Sequence, residues 1–160
     1  MDEHTRAPSE PPPLGNPTGW DLAARRWEHA TLRRALRHGV GLFNDGAYHE
    51  SHDCFEDEWY NYGAGTTESA FCHGMVQIAA GVYKRVDFGS DAGLFRLFET
   101  ALRYLADVPP DFYGLDVDDV RTTAERALSE PAVVDDWRLT LDGHRPRATE
   151  AGYVYAESLE

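Results

Sequence analysis

Between residues 32 and 128, apolar side chains return every three or four positions, and glycine- or proline-bearing breaks cut that rhythm into segments of helix length. Leu32, Ala35, Leu36, Gly39, Val40 and Phe43 share one face of a helix predicted over residues 27–44. Asn44-Asp45-Gly46 interrupts it, Gly46 being suited to the left-handed backbone that closes helices. A second helix is predicted over 47–62, with Tyr48, His52, Phe55 and Trp59 on one side and Gly63-Ala64-Gly65 at its end. Thr66 or Thr67 can cap a third over 68–86, which faces inward with Phe71, Met75, Ile78 and Val82. Gly89-Ser90 opens a fourth over 91–106, and Pro109-Pro110 stops it. A shorter fifth is predicted over 116–129, with Val117, Val120, Ala124 and Leu128 inward. Connections this short favour antiparallel neighbours. The expected fold class is all-α, a single-domain antiparallel bundle of about five helices over residues 18–130.

The ends read differently. Residues 1–17 are rich in proline, serine and charge, and are expected to form a disordered or loosely docked arm, with Trp20 and Trp27 pinning the start of the bundle. Residues 131–160 lose the helical period and are expected to pack on the bundle as an irregular extension, in which "WRLTLDGHRP" alternates weakly.

Charge narrows the function classes. The chain carries 28 acidic and 15 basic residues, net -13, and Lys84 is its only lysine. An acidic, lysine-poor surface suits hydration in concentrated salt, where the Debye length is only about 3 Å at ~1 M and self-repulsion is screened. The expectation is a halophile-adapted cytoplasmic protein. No basic stripe is visible in the letters, so no nucleic-acid partner is expected. No apolar run approaches membrane-spanning length and the N-terminus has no basic, then apolar, leader, so no membrane association is expected either. Cys54 and Cys72 fall on separate helices without C-x-x-C spacing, which argues against a disulfide framework or zinc ribbon.

One stretch concentrates chemistry: "YHESHDCFEDEWY", residues 48–60. At about 100° per residue, His52 falls within the stripe of Tyr48, Phe55 and Trp59. Glu56 lies one turn on, beside that stripe. His49 is at its margin and Asp53 further round, while Glu50, Asp57 and Glu58 are expected to face solvent. The third helix offers Gln77 and His73, four apart on one face, beside Gly74 and Gly81, where another helix, a small ligand or a second copy could approach closely. His52 and Glu56 are therefore expected to meet Gln77 between helices two and three. Three uses of such a cluster are open. It can be a structural polar network that satisfies itself in the core. It can hold a divalent metal through His49, His52 and Glu56, with His73 a further candidate, although the H-E-x-x-H spacing is absent. It can be an acid–base site with Glu56 as base and His52 as its partner. Ser51-His52-Asp53 is no catalytic triad, because consecutive helical residues point apart. His29, His38 and His144 are expected at the surface.

The segments "FNDGAYHESHDCFEDEWY" and "FCHGMVQIAAGVYKRVDFGSDAG" resemble the small helical proteins grouped as domain of unknown function 309. The matching positions are Asn44, Gly46, Tyr48, His52, Asp53, Glu56 and Trp59, then Phe71, Gly74 and Gln77. The resemblance extends over about residues 28–128. It departs at Asp53, where the family usually has glutamate, and at His73, where it often has glutamine. It implies an all-α bundle and no established reaction. Together with the charge it suggests a halophilic archaeal member. The expected ligand-binding set is Tyr48, His52, Asp53, Glu56, Trp59 and Gln77. The expected function is a binding or interaction module, whose partner is a small molecule or, in a homo-oligomer, a second copy. The alternative is a hydrolase-like or metal-dependent enzyme using His52 and Glu56.

Overall fold

The computed structural model describes residues 3–5 and 9–159. Among these, six α-helices dominate: α1 (Ala30–Asn44), α2 (Tyr48–Trp59), α3 (Thr67–Phe88), α4 (Asp91–Leu105), α5 (Val117–Ala127) and α6 (Glu150–Ser158). Two minimal antiparallel hairpins join them, β1 (Trp20–Asp21) with β2 (Arg26–Trp27) and β3 (Asp111–Phe112) with β4 (Leu115–Asp116). The expected all-α bundle is the fold observed.

The long α3 is the central element, packed between α2 and α4. Its N-cap Thr66 accepts a bond from the Ser69 amide, and Gly89 closes its C-terminus in the left-handed region, at φ 66°. Gly74 and Gly81 let α4 come close. A Cβ at Gly74 would sit 2.6 Å from Leu105, and one at Gly81 would sit 2.7 Å from the Phe98 ring. The helix approach anticipated at these glycines thus belongs to α4. Leu105 and Phe98 fill the groove, which corrects the expectation that a ligand or a second copy could use it. Phe55 and Phe71 from α2 and α3 meet edge to face at 6.4 Å, and Phe71 continues onto Phe112.

The predicted first helix begins three residues late, because Trp27 belongs to a hairpin in which it pairs with Trp20. Trp27 is buried, stacked on Tyr113 at 5.5 Å, with the Arg33 guanidinium over its ring at 4.7 Å. Arg33 is itself buried. It donates to the Tyr113 carbonyl at 2.7 Å and forms a two-pronged ion pair with the Asp142 carboxylate. The N-terminal arm, where described, is docked: Trp27 Nε1 donates to the Glu10 carbonyl at 2.9 Å, and Thr18 exchanges backbone bonds with Asp111 and Tyr113. Residues 1, 2 and 6–8 of the expected arm lie outside the described residues.

The C-terminal region is more ordered than its irregular pattern suggested. A 3-10 turn at Pro131–Val134 precedes an extended run, and the chain ends in α6. Asn44, at the end of α1, holds the extended run like a substitute strand. Its Nδ2 donates to the Leu139 and Pro146 carbonyls at 3.0 and 2.9 Å, and its Oδ1 accepts from the Leu139 amide at 2.7 Å. Asp45 pairs with Arg147, and Gly41 clears the Arg147 carbonyl, which a Cβ would meet at 2.9 Å. α6 carries no apolar stripe. It is capped by Thr149, and Ala156 covers Leu42 and Cys54 while Tyr155 stacks on His38 at 4.8 Å. His29 and His38 are half-buried, so the surface expectation holds only for His144.

Replacing Asn44 by Ala strands buried backbone groups and is expected to cost about 3 kcal/mol. Urea denaturation measures that loss, and hydrogen exchange at the Leu139 amide is expected to accelerate in the same variant. Burial raises the Cys54 thiol from 9.0 to about 12, and burial likewise raises the Tyr155 phenol from 10.0 to about 12. Both groups bind their proton more tightly folded than unfolded. Their contribution to stability is full below about pH 9 and is lost as pH rises toward about 12. Denaturation midpoints across that range test the slope, which Cys54→Ala reduces.

Candidate functional site

The centre of the buried face of α2 is rotated from where apolar spacing put it. Tyr48, Ser51, Cys54, Phe55 and Glu58 are buried, whereas His52, Asp53, Glu56 and Trp59 lie along a half-buried edge beside α3. Ring contacts set the antiparallel register of that edge: Trp59 meets His73 at 4.3 Å and His49 meets Tyr83 at 5.6 Å, ten residues apart on both helices. The rotation follows from polar residues that are satisfied in the core. Ser51 Oγ donates to the Gly39 carbonyl at 2.7 Å, so its side chain faces α1 without penalty.

Glu58, expected in solvent, is the carboxylate the core contains, with 1 % of its surface exposed. It accepts from the Thr31 hydroxyl at 2.7 Å, the Tyr62 hydroxyl at 2.6 Å and Asn61 Nδ2 at 3.0 Å. These partners come from α1 and from the turn after α2, so the carboxylate ties the end of α2 to the start of α1. Burial, and then its bond to Glu58, push the Tyr62 hydroxyl well above the usual phenol range. Tyr62 stays protonated as a donor. No pattern of apolar residues reveals this network; its only trace is a threonine, a glutamate and a tyrosine at helix ends.

The predicted cluster divides. His52 is its pivot, with 22 % of its side chain exposed. Nδ1 lies 3.1 Å from Asp53 Oδ1 and Nε2 lies 3.3 Å from Glu56 Oε2. His49 Nε2 reaches 3.7 Å from Asp53 Oδ2. One ligand atom from each of His49, His52 and Asp53 falls within 4.8 Å of the others. Gln77 lies on α3 between His73 and Tyr83 but makes no side-chain hydrogen bond among the described residues, so the expected His52–Glu56–Gln77 network does not form. Glu56 is 43 % exposed and the cluster sits at a rim, not in the interior. Tyr48 is a core residue, edge-on to Phe43 at 5.1 Å, and so is not part of that rim.

His73 is separate from the other histidines. It lies between Trp59 and Tyr104, stacked on Tyr104 at 3.7 Å, and burial lowers its pKa, favouring the neutral ring. With Trp59, Ser69, Arg103 and Tyr104 it lines a cavity of about 450 Å³ at the start of α3. Trp59 is fixed there by its Nε1 bond to Ser69 Oγ at 3.0 Å.

The architecture is that of an all-α bundle whose polar edge runs along α2 and α3. Residues 36–97, from within α1 to within α4, match the family model described as "Domain of unknown function (DUF309)". The match supports the domain family that the residues suggested, over less than half of the chain and a shorter span than the resemblance covered. It contains every member of the α2–α3 edge. No curated protein matches the chain.

Two carboxylates on one helix are expected to separate by role. Glu58→Ala leaves the buried Thr31 hydroxyl and the half-buried Tyr62 hydroxyl without their acceptor and should cost about 3 kcal/mol. Glu56→Gln, at the rim, should change stability by less than about 1 kcal/mol. Urea unfolding of the two variants makes the comparison.

Proposed function

We propose that the protein is a binding module that takes a divalent first-row transition metal ion at His49, His52 and Asp53, with Glu56 as the group that orients His52. The observation that carries this reading is the double carboxylate contact of His52. A neutral imidazole has a single N–H. With that proton on Nε2, toward Glu56, the lone pair on Nδ1 is aimed at Asp53, and a metal cation held between them turns the repulsion into ligation. Metal-ligating histidines commonly turn their second nitrogen to a carboxylate, which fixes ring and tautomer. Two imidazoles and one carboxylate suit zinc, iron, manganese or nickel better than calcium or magnesium. Three ligands from one helix face leave coordination positions open to water or to a donor from a bound molecule.

This reading gives the predicted set new roles. Glu56 is an orienting group and not a base, and His73 is no ligand. Calorimetric titration of untagged, metal-free protein with zinc is expected to show one ion per chain. His52→Ala should abolish binding, Glu56→Gln should weaken it about tenfold or more, and His73→Ala should leave it unchanged. Affinity should fall toward acid pH as protons compete for the imidazoles. Zinc uptake that survives His52→Ala, or none in the parent, would count against the site.

A further inference from the structure

Positive charge is scarce in this chain, and much of it faces one place. Arg26, Arg33, Arg34, Arg37 and Arg147, five of fourteen arginines, line an open cleft of about 970 Å³ together with His38. α1 contributes Arg33, Arg34 and Arg37, the β1–β2 hairpin contributes Arg26, and the run before α6 contributes Arg147. Two carboxylates share the lining, Glu10 and Asp142.

The pairing within the cleft is incomplete. Asp142 is taken up by Arg33, and Arg147 is paired with Asp45. Arg26 and Arg37 are exposed and form no ion pair among the described residues, in a chain with nearly two carboxylates per cation. Outside the cleft Arg85 pairs with Asp91 and Asp135, Arg121 with Asp118 and Arg126 with Glu130, while Arg25, Arg96, Arg103, Arg138 and Arg145 form no ion pair among the described residues. What sets the cleft apart is the gathering of five arginines on one concave surface. The first turn of α1, which borders the cleft, has no acidic residue. His38 responds to the resulting field. Its pKa is lowered by burial first and then by the charges of Arg37 and Arg34. A concave surface that gathers like charges repels itself, and a bound anion relieves that repulsion.

We propose that this cleft binds a small polyanion of the diphosphate class, gripped by Arg26 from the β1–β2 hairpin and Arg37 from α1. Guanidinium groups match phosphate oxygens in two-pronged geometry, and the volume is that of a small-molecule site. The chain's net charge of -13 disfavours long nucleic acid, whose phosphates would extend beyond the cleft. This site is distinct from the metal site on α2, and nothing in it depends on a metal.

Inorganic pyrophosphate is the probe, titrated into full-length, metal-free protein by calorimetry. One saturable site is expected. Arg37→Gln and Arg26→Gln should each weaken binding about tenfold, and Arg126→Gln, a solvent-exposed pair away from the cleft, should not. Histidine titration by NMR adds a readout that a folding defect would not imitate: pyrophosphate should raise the His38 pKa, because the anion offsets the arginine field. Absence of saturable binding, equal binding by the parent and both cleft variants, or a single-stranded oligonucleotide binding tighter than pyrophosphate would overturn the proposal.

Discussion

A guanidinium cannot be buried alone, and the arrangement around Arg33 follows from that constraint. Its charge is answered by Asp142, one of its N–H groups by the Tyr113 carbonyl, and its flat face by the Trp27 ring. These partners come from the first hairpin, the turn between β3 and β4, and the run before α6. One side chain on α1 therefore fixes the relative positions of three segments that have little regular structure of their own. Removing either charge would leave the other unpaired in a low-dielectric setting, a penalty of several kcal/mol that few surface contacts could offset. Through these contacts the pair joins the first hairpin, the β3–β4 turn and the run before α6 to one position on α1.

Satisfied polar groups also decide how α2 is turned. Ser51 and Glu58 face the core because each finds partners there, and that rotation brings His52, Asp53 and Glu56 to the edge. The helix thus uses one carboxylate as an internal fastener and leaves others beside a histidine where a ligand can reach them. Negative and positive groups are sorted in space: the carboxylate–imidazole edge lies along α2 and α3, while arginines collect on the outer side of α1. The two faces have opposite electrostatic character within a single small bundle.

Much of this was legible in the letters. α1 to α4 were readable because their apolar residues bury against two neighbours each, which enforces a strong period. The boundary at Gly46 and the cap at Thr66 follow from backbone chemistry alone. The hairpin at Trp20 and Trp27 was not readable, since two-residue strands cannot display alternation. α6 escaped because it buries only Gly152 and Ala156, so no stripe marks it. In the site, the proximity of His49, His52, Asp53 and Glu56 was implied by helical spacing. The missing link to Gln77 was not, because whether side chains meet across two helices depends on rotations that sequence leaves undetermined. Glu58 was misplaced because the stripe of Tyr48, His52, Phe55 and Trp59 set it on the outer face, whereas the buried face runs through Tyr48, Ser51, Cys54 and Phe55 to Glu58. The basic cleft had a signal, Arg33, Arg34, Arg37 and His38 on one helix, but its completion by Arg26 and Arg147 exists only in three dimensions.

At the end of α1, Gly41, Asn44 and Asp45 hold the C-terminal tail by three unlike means: clearance, imitation of a strand, and charge. Most of what they grip is main chain, namely the Leu139 and Pro146 carbonyls and the Leu139 and Ala148 amides. Much of the instruction for seating the tail is therefore written in the helix, with Leu141, Asp142 and Arg147 supplying the tail's own share. Substitutions at exposed His144 and Arg145 should be absorbed without unseating it, so long as its peptide groups stay on the same track, whereas Leu141, Asp142, Arg147 and the three helix positions have little latitude.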